Sequence, residues 1–199
     1  MKKQYKANFY IDGFNFYMDI KDLEKELRAS GKSLPAKTVN YRKLANSLLQ
    51  GAQNISVGDV KYFSAYVRNN VPRRKRHERF VKQLEGANVA VILGKHKKVW
   101  RECKAKCDLT YESYEEKETD VRIALEIMAD AHTGAFDRAY ILSADSDLVP
   151  VVERIRREFP KLQVWSVSPP TRGSRSKALR AACHRGIGCG EHSIISNLF

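Results

Sequence analysis

Apolar residues in this chain fall into short dense runs that alternate with stretches of helical spacing. ANFYI (7–11), DVKYFSAYV (59–67), NVAVIL (88–93), RAYILS (138–143) and LQVWSV (162–167) read as strands, bounded by turn-forming residues and dense enough to be buried on both faces. Between them, residues 14–28, 41–49, 72–85, 119–131 and 147–159 read as helices. Asn40 is placed to cap the second of these, and Pro72 and Pro150 sit where a first helical turn accepts proline. Thr119 reads as the N-cap of a helix whose inward face would be Val121, Ala124, Leu125 and Met128.

SGKSLPAKTVN (30–40) and residues 51–58 read as loops, and residues 94–102 extend the third strand into a hairpin. A short helix over 175–182 precedes a tail expected to be irregular. Strands that alternate with helices imply right-handed βαβ crossovers. The expected fold is therefore α/β, with three layers, α/β/α, around a mainly parallel sheet. No repeat or long linker divides the chain, so residues 1–199 are expected to form one domain, with 171–199 a short basic extension packed on it.

Charge changes this picture. Lys and Arg number 36 against 23 Asp and Glu, a net charge of +13 with a pI near 9.7, which favours a polyanionic partner, most often nucleic acid. The excess is clustered at Arg73, Arg74, Lys75, Arg76 and Arg79, at Lys95, Lys97, Lys98, Arg101, Lys104 and Lys106, and at Arg172, Arg175, Lys177 and Arg180. Any one of these runs is equally well a solvated helix face, whereas three together favour a phosphate-bearing partner. No apolar run approaches the roughly 18 residues of a membrane span, and MKKQYKANFYIDG lacks the features of a secretory signal, so a cytoplasmic, membrane-free protein is expected.

Against this basic background stand four aspartates. Asp12 closes the first strand, Asp145 and Asp147 follow the fourth in ILSADSDLVPVV, and Asp120 opens a helix. Ligands of open α/β sheets collect at the carboxyl ends of strands, which would bring these residues to one rim. Each also has a local explanation as a helix cap, a dipole partner or a turn residue. Caps alone do not explain several acids at one edge. Clustered carboxylates repel, and the hard cations Mg²⁺ and Mn²⁺, which take oxygen ligands, would compensate them.

FYIDGFNFY (9–17), EKETDVRIALEIMADA (116–131) and ILSADSDLVPVVERIR (141–156) together resemble, in order and spacing, the signature blocks of the NYN domain, the LabA-like branch of the PIN-like nuclease superfamily. The resemblance implies a PIN-like, Rossmannoid α/β/α fold and hydrolysis of RNA phosphodiesters with Mg²⁺ or Mn²⁺. It gives Asp12, Asp120, Asp145 and Asp147 the catalytic and metal-binding role. Asn15 becomes an orienting amide, and Lys117 and Ser143 lie near the pocket. Ala144 stands where many relatives have glycine. Some members of the family are regulatory, without demonstrated nuclease activity.

Cys103, Cys107, Cys183 and Cys189 could assemble a structural Zn²⁺ site if their two segments met in space; buried or idle thiols are the favoured alternative. His77 and His96 read as part of a basic surface, and Tyr111 and Tyr114 as packing residues or as stacking platforms for unpaired bases. No nucleophile motif with a histidine partner and no phosphate-loop motif occurs. The sequence thus points to a metal-dependent endoribonuclease acting on flexible or single-stranded RNA, with Arg73, Arg74, Arg76, Arg172 and Arg175 contributing to the substrate surface. A non-catalytic RNA-binding or regulatory module is the alternative, a small-phosphomonoester phosphatase a third class, and a homo-oligomer is compatible with all of them.

Overall fold

A computed structural model describes residues 3–34, 38–66, 70–102, 109–171 and 177–199. Its centre is a six-stranded, wholly parallel sheet built from β1 (Tyr5–Asp12), β2 (Ile55–Ser64), β3 (Ala90–Leu93), β6 (Arg138–Leu142), β7 (Gln163–Ser168) and β8 (Arg185–Gly188), in the order β3-β2-β1-β6-β7-β8. A separate antiparallel hairpin, β4 (Lys95–Glu102) with β5 (Thr110–Lys117), stands between β3 and the following helix.

Because side chains alternate across a strand, one run of apolar residues supplies two cores. Phe9, Ile11, Tyr62, Tyr140 and Leu142 face α1 (Gly13–Ala29), α2 (Tyr41–Leu48), α3 (Val71–Gly86) and α7 (Glu191–Ile195). Tyr10, Phe63 and Ile141 face α4 (Thr119–His132), α5 (Val149–Glu158) and α6 (Lys177–Ala182). Each fully buried large side chain of this kind contributes about 1.5–3 kcal/mol, so both layers are held by burial. Phe9 stacks on Tyr140 across the neighbouring strands, with ring centroids 4.6 Å apart.

The local signals behave as their chemistry requires. Asn40 caps α2, its side chain accepting from the Lys43 N–H; Pro72 and Pro150 lie in first turns; and Asn70 caps α3 through the Arg73 N–H. Four expectations need correction. The inward face of α4 is Ile123, Ile127 and Ala131 in line with buried Thr119, whereas Val121 and Leu125 are 62% and 64% exposed. The expected and observed stripes share an edge at Ala124 and Met128, and the larger branched pair takes the sheet side. Thr119 does not cap: Glu118, in the left-handed conformation at φ 75°, precedes the helix without a side-chain cap bond.

The third correction concerns the chain's end. Residues 185–199 are not irregular, because β8 pairs with β7 as the sixth strand, α7 covers one face, and Leu198 bridges back to Val39. RGIG offers two small residues and one branched one, too little to signal a strand, and its place at the sheet edge is set by pairing rather than propensity. Residues 55–58, read as loop, begin β2. Among the described residues no helix is long and apolar enough to cross a membrane.

Candidate metal centre

The chain reverses its direction of sheet growth at β1, which has β2 and β3 on one side and β6, β7 and β8 on the other. Loops leaving β1 and β6 therefore diverge at their carboxyl ends and open a crevice there. Asp12, the last residue of β1, caps α1 by accepting from the Asn15 N–H at 3.0 Å. Gly13 is required at this junction: a Cβ would lie 2.3 Å from Tyr62 Cζ and 2.6 Å from the Phe63 carbonyl oxygen. The D-G-F-N sequence is thus a strand-to-helix turn pressed against β2.

Across the crevice, Ser143 follows β6 and is fully buried. Its hydroxyl donates to Asp12 Oδ2 at 2.9 Å and accepts from the Asp145 N–H at 3.0 Å. Asn15 Oδ1 accepts from the Ala144 N–H at 3.3 Å, a second tie between the two loops. Asp145 Oδ1 accepts from the Asp147 N–H at 2.9 Å, capping the single 3-10 turn Ser146–Leu148 that leads into α5. Both explanations of these aspartates hold together: Asp12 and Asp145 are caps, and capping fixes where their carboxylates stand. An ionised carboxylate has about four acceptor positions, so one cap bond leaves capacity for another ligand.

Asp120 arrives from a third element, in the first turn of α4. Carboxylate oxygens of Asp12, Asp120 and Asp145 lie within 4.8 Å of one another, with Asp12 buried and the other two half-buried. Burial raises the pKa of Asp120, and the charges of Asp145 and Asp147 raise it further. The donor set fits a hard divalent cation. Octahedral Mg²⁺ with bonds of about 2.0–2.1 Å places its ligand oxygens about 3 to 4 Å apart, within reach of this triangle after small side-chain adjustment. Three carboxylates with no nitrogen or sulfur donor favour Mg²⁺, Mn²⁺ or Ca²⁺ over softer metals.

Asp147 stays outside the triangle and is exposed, bearing on it through charge and through its N–H. Lys117, at the end of β5, is exposed three residues before Asp120. Arg73, Arg74 and Arg76 line the exposed first turns of α3, which begins beyond the carboxyl end of β2 and so belongs to the same rim. Arg74 pairs with Glu78 at 2.8 Å and lies over the Tyr66 ring, while Arg73 lies over Tyr17. Arg172, Arg175, Cys103 and Cys107 lie outside the described residues.

The four-cysteine arrangement is not supported by the other half of its ligand set. Cys183 packs in the core beneath α5 and α6, and Cys189 in the core on the opposite face of the sheet. Both are free thiols, and burial pushes them up to about 11 and about 12, away from the thiolate form a metal needs. His184, next in sequence, accepts from the Val164 N–H through Nδ1 at 3.0 Å and so ties β7 to the start of β8.

Sequence reading missed a second polar cluster that positions α4. Lys61 of β2 donates to Glu126 at 2.8 Å and to both oxygens of Asp130 at 2.9 and 2.8 Å. The Tyr10 hydroxyl donates to Asp130 Oδ2 at 2.6 Å, and burial together with that carboxylate raises the tyrosine's pKa far above its ordinary value. Asn8 reaches Asp130 at 3.5 Å and Asp59 at 3.4 Å. The one available signal was a lysine between the buried Val60 and Tyr62 of β2, and its partners lie 65 and 69 positions away.

A 6-hydroxy-3-succinoylpyridine 3-monooxygenase of Pseudomonas putida is 25% identical over 205 residues, covering 86% of this chain. The chain spans 62% of that relative's length. The crystal structure of a protein of unknown function from Vibrio parahaemolyticus matches with a TM-score of 0.59 at 18% identity over 96% of both chains, which establishes a shared fold. The NYN domain model matches residues 6–188, a span that takes in Asp12, Asp120, Asp145 and all six strands but the first residue of β1. The chain belongs to the NYN domain family, with the fold of the PIN-like nucleases.

Proposed function

We propose that this protein is a ribonuclease that uses Mg²⁺ or Mn²⁺ to hydrolyse phosphodiester bonds of flexible or single-stranded RNA. The observation that carries this reading is the meeting of Asp12, Asp120 and Asp145, from three separate elements, at the switch point of the sheet. These three carboxylates would hold the ion. Such an ion, when bound, supplies a water of lowered pKa and neutralises charge developing on a phosphoryl oxygen. Ser143 and Asn15 hold the loops that present Asp12 and Asp145, so the ligands need little reorganisation. Arg73, Arg74, Arg76 and Lys117 would neutralise backbone phosphates beside the crevice. Arg172 and Arg175 add to the same charge in sequence, and a flexible strand suits a crevice between diverging loops.

Labelled single-stranded RNA incubated with Mg²⁺ or Mn²⁺ tests this. Cleavage should depend on the ion and fall by about a hundredfold or more in Asp12→Asn and Asp145→Asn, the scale of losing one organised electrostatic element of an active site. Cleavage that survives both substitutions unchanged overturns the assignment. Salt-sensitive RNA binding with no metal-dependent product would instead support the non-catalytic module. The Pseudomonas relative's name suggests oxygenation of a heteroaromatic ring. That reading has less support here, because the triangle is all carboxylate, a donor set of hard cations, and carries neither histidine of the 2-His-1-carboxylate iron site of oxygenases.

A further inference from the structure

The hairpin of β4 and β5 takes no part in the central sheet, yet its two ends are fixed at the rim of the candidate centre. Its first strand leaves β3 through Gly94, whose N–H donates to the Ser64 carbonyl at 2.7 Å. A Cβ on Gly94 would stand 3.0 Å from the Lys117 carbonyl and 3.1 Å from Thr119 Oγ1, so the two strands and the start of α4 are packed against one another at this root. Its second strand runs through Lys117 and Glu118 directly into Asp120. The hairpin and one of the three carboxylates therefore form one continuous unit.

Strand alternation divides its side chains between two faces. The register pairs Lys95 with Lys117 and Arg101 with Tyr111, and these four share a face with Lys97, which is paired in register with Glu115. The other face carries Lys98, Trp100, Glu102, Thr110 and Glu112, with Trp100 opposite Glu112. There Lys98 forms an ion pair with Glu112 and lies 5.0 Å from the centre of the Trp100 ring. By register the first face carries four cations, Lys95, Lys97, Arg101 and Lys117, and one acid, Glu115, in a stripe from tip to root, with the exposed ring of Tyr111 near its outer end. Tyr111 and Lys117 lie six positions apart in β5, about 20 Å of extended strand, and the stripe ends three residues from Asp120.

We propose that this face of the hairpin is a binding arm for single-stranded RNA. On this view Lys95, Lys97, Arg101 and Lys117 track the phosphates and Tyr111 stacks on an unpaired base, so that the strand is led to the carboxylates at the arm's root. The partner is chosen by charge and by form. A basic stripe calls for a polyanion, an exposed aromatic ring among cations calls for a base with an open face, and a duplex would keep its bases stacked on each other. The proposal rests on the ribonuclease reading and assigns the surface that feeds its site.

Fluorescence anisotropy with 5′-labelled oligoribonucleotides of three and twelve nucleotides tests it, with Ca²⁺ in place of Mg²⁺. The wild type should bind the twelve-mer more tightly than the three-mer by more than tenfold at low salt. Tyr111→Ala should weaken twelve-mer binding about five- to a hundredfold and Tyr111→Phe should retain it, the range for loss of one base–aromatic stack. Lys97→Glu with Arg101→Glu should weaken it further and flatten its salt dependence. Trp100→Ala, on the opposite face, should change it less than twofold. Equal losses from Trp100→Ala and Tyr111→Ala, or a length preference that persists in the charge-reversed variant, would overturn the arm assignment while metal-dependent cleavage leaves the ribonuclease reading standing. A wild type that neither binds nor cleaves either oligonucleotide overturns both.

Discussion

The two ends of α4 treat carboxylates in opposite ways. Asp130, in its last turns, is mostly buried and meets Lys61, Tyr10 and Asn8, so the protein supplies both the counter-charge and the hydrogen bonds. Asp120, ten residues and about 15 Å earlier on the same helix, is pushed up in pKa by burial and by the charges of Asp145 and Asp147. The first cluster is complete in itself and fixes the helix to β1 and β2. The second is a concentration of carboxylates, with Asp12 and Asp145 held in place by cap bonds and Asp120 raised in pKa by burial and by its acidic neighbours. An interior that satisfies one acidic group so fully has the means to satisfy another. Carboxylates brought together at a switch point fit the cation site of the proposed function.

The sharpest way to break this comparison is to remove the internal cation. Lys61→Ala would strand Asp130 and Glu126 beside one another and should cost about 3–5 kcal/mol, the loss typical of breaking a buried pair from one side. Urea denaturation followed by circular dichroism measures it. Combining Lys61→Met with Asp130→Leu should recover much of the loss, because two apolar partners need no charge balance. A cost below about 1 kcal/mol for the single variant would mean that solvent reaches Asp130 freely and that the two ends of α4 do not differ as described.

A somewhat smaller effect is expected at the other end. Mn²⁺ at a hundred times its dissociation constant should stabilise the wild type by about 2.7 kcal/mol, and Asp120→Asn or Asp145→Asn should abolish most of that response. Thermal unfolding over a Mn²⁺ titration reads this directly. Without metal, the same Asp120→Asn substitution should raise the melting temperature, since it removes like charge from a crowded rim. A metal response that survives Asp120→Asn would take α4 out of the centre.

The pH dependence has a definite sign. The folded-state pKa of Asp120 is raised above 3.8, so between those two values the folded chain holds a proton that the unfolded chain releases. Metal-free stability contributed by this group is thus greatest at or below pH 3.8 and is lost as pH rises through the folded pKa. The stability difference between wild type and Asp120→Asn, measured in chelator across that interval, should therefore grow with pH in favour of the variant. Metal affinity should climb over the same interval, because the ion takes the ionised carboxylate. A difference that is flat with pH would remove the electrostatic crowding on which the comparison stands.

Which of these features the amino-acid order discloses follows from their range. Asn40, Asn70 and Pro72 act within one helical turn, and the apolar runs of β1, β6 and β7 state their own burial, so the layered fold and the acidic rim are legible. The stripe of α4 is not, because Val121 and Leu125 are as apolar as Ile123 and Ile127, and only the neighbouring sheet decides between them. β8 depends on an edge that exists only once β7 is in place. The Lys61 network joins three elements whose charges, read singly, pass for surface residues. Asp147 shows the reverse limit: its position beside Asp145 in sequence suggests a shared ligand role, whereas in the structure it is exposed and outside the triangle, and its charge still bears on Asp120.

The smallest predicted effect concerns the residue that starts α4. Glu118 sits at φ 75° without a capping side-chain bond, a conformation costing a non-glycine residue about 1–2 kcal/mol. Glycine would relieve that strain but would forfeit about 0.5–1 kcal/mol of backbone entropy, and it would lose the exposed pair with Arg122 at 3.2 Å, worth at most about 0.5 kcal/mol. The contributions nearly cancel, so Glu118→Gly should fall within about 0.5 kcal/mol of wild type by urea denaturation. Glu118→Val keeps the strain, adds a branched Cβ and loses the pair, and should cost about 1 kcal/mol or more. Because Asp120 lies two residues on, the valine variant should also blunt the Mn²⁺ response while the glycine variant keeps it. Equal stability in the two variants would mean that α4 begins without backbone strain at its rim end, leaving the bonds to Lys61 as the dominant constraint on where Asp120 stands.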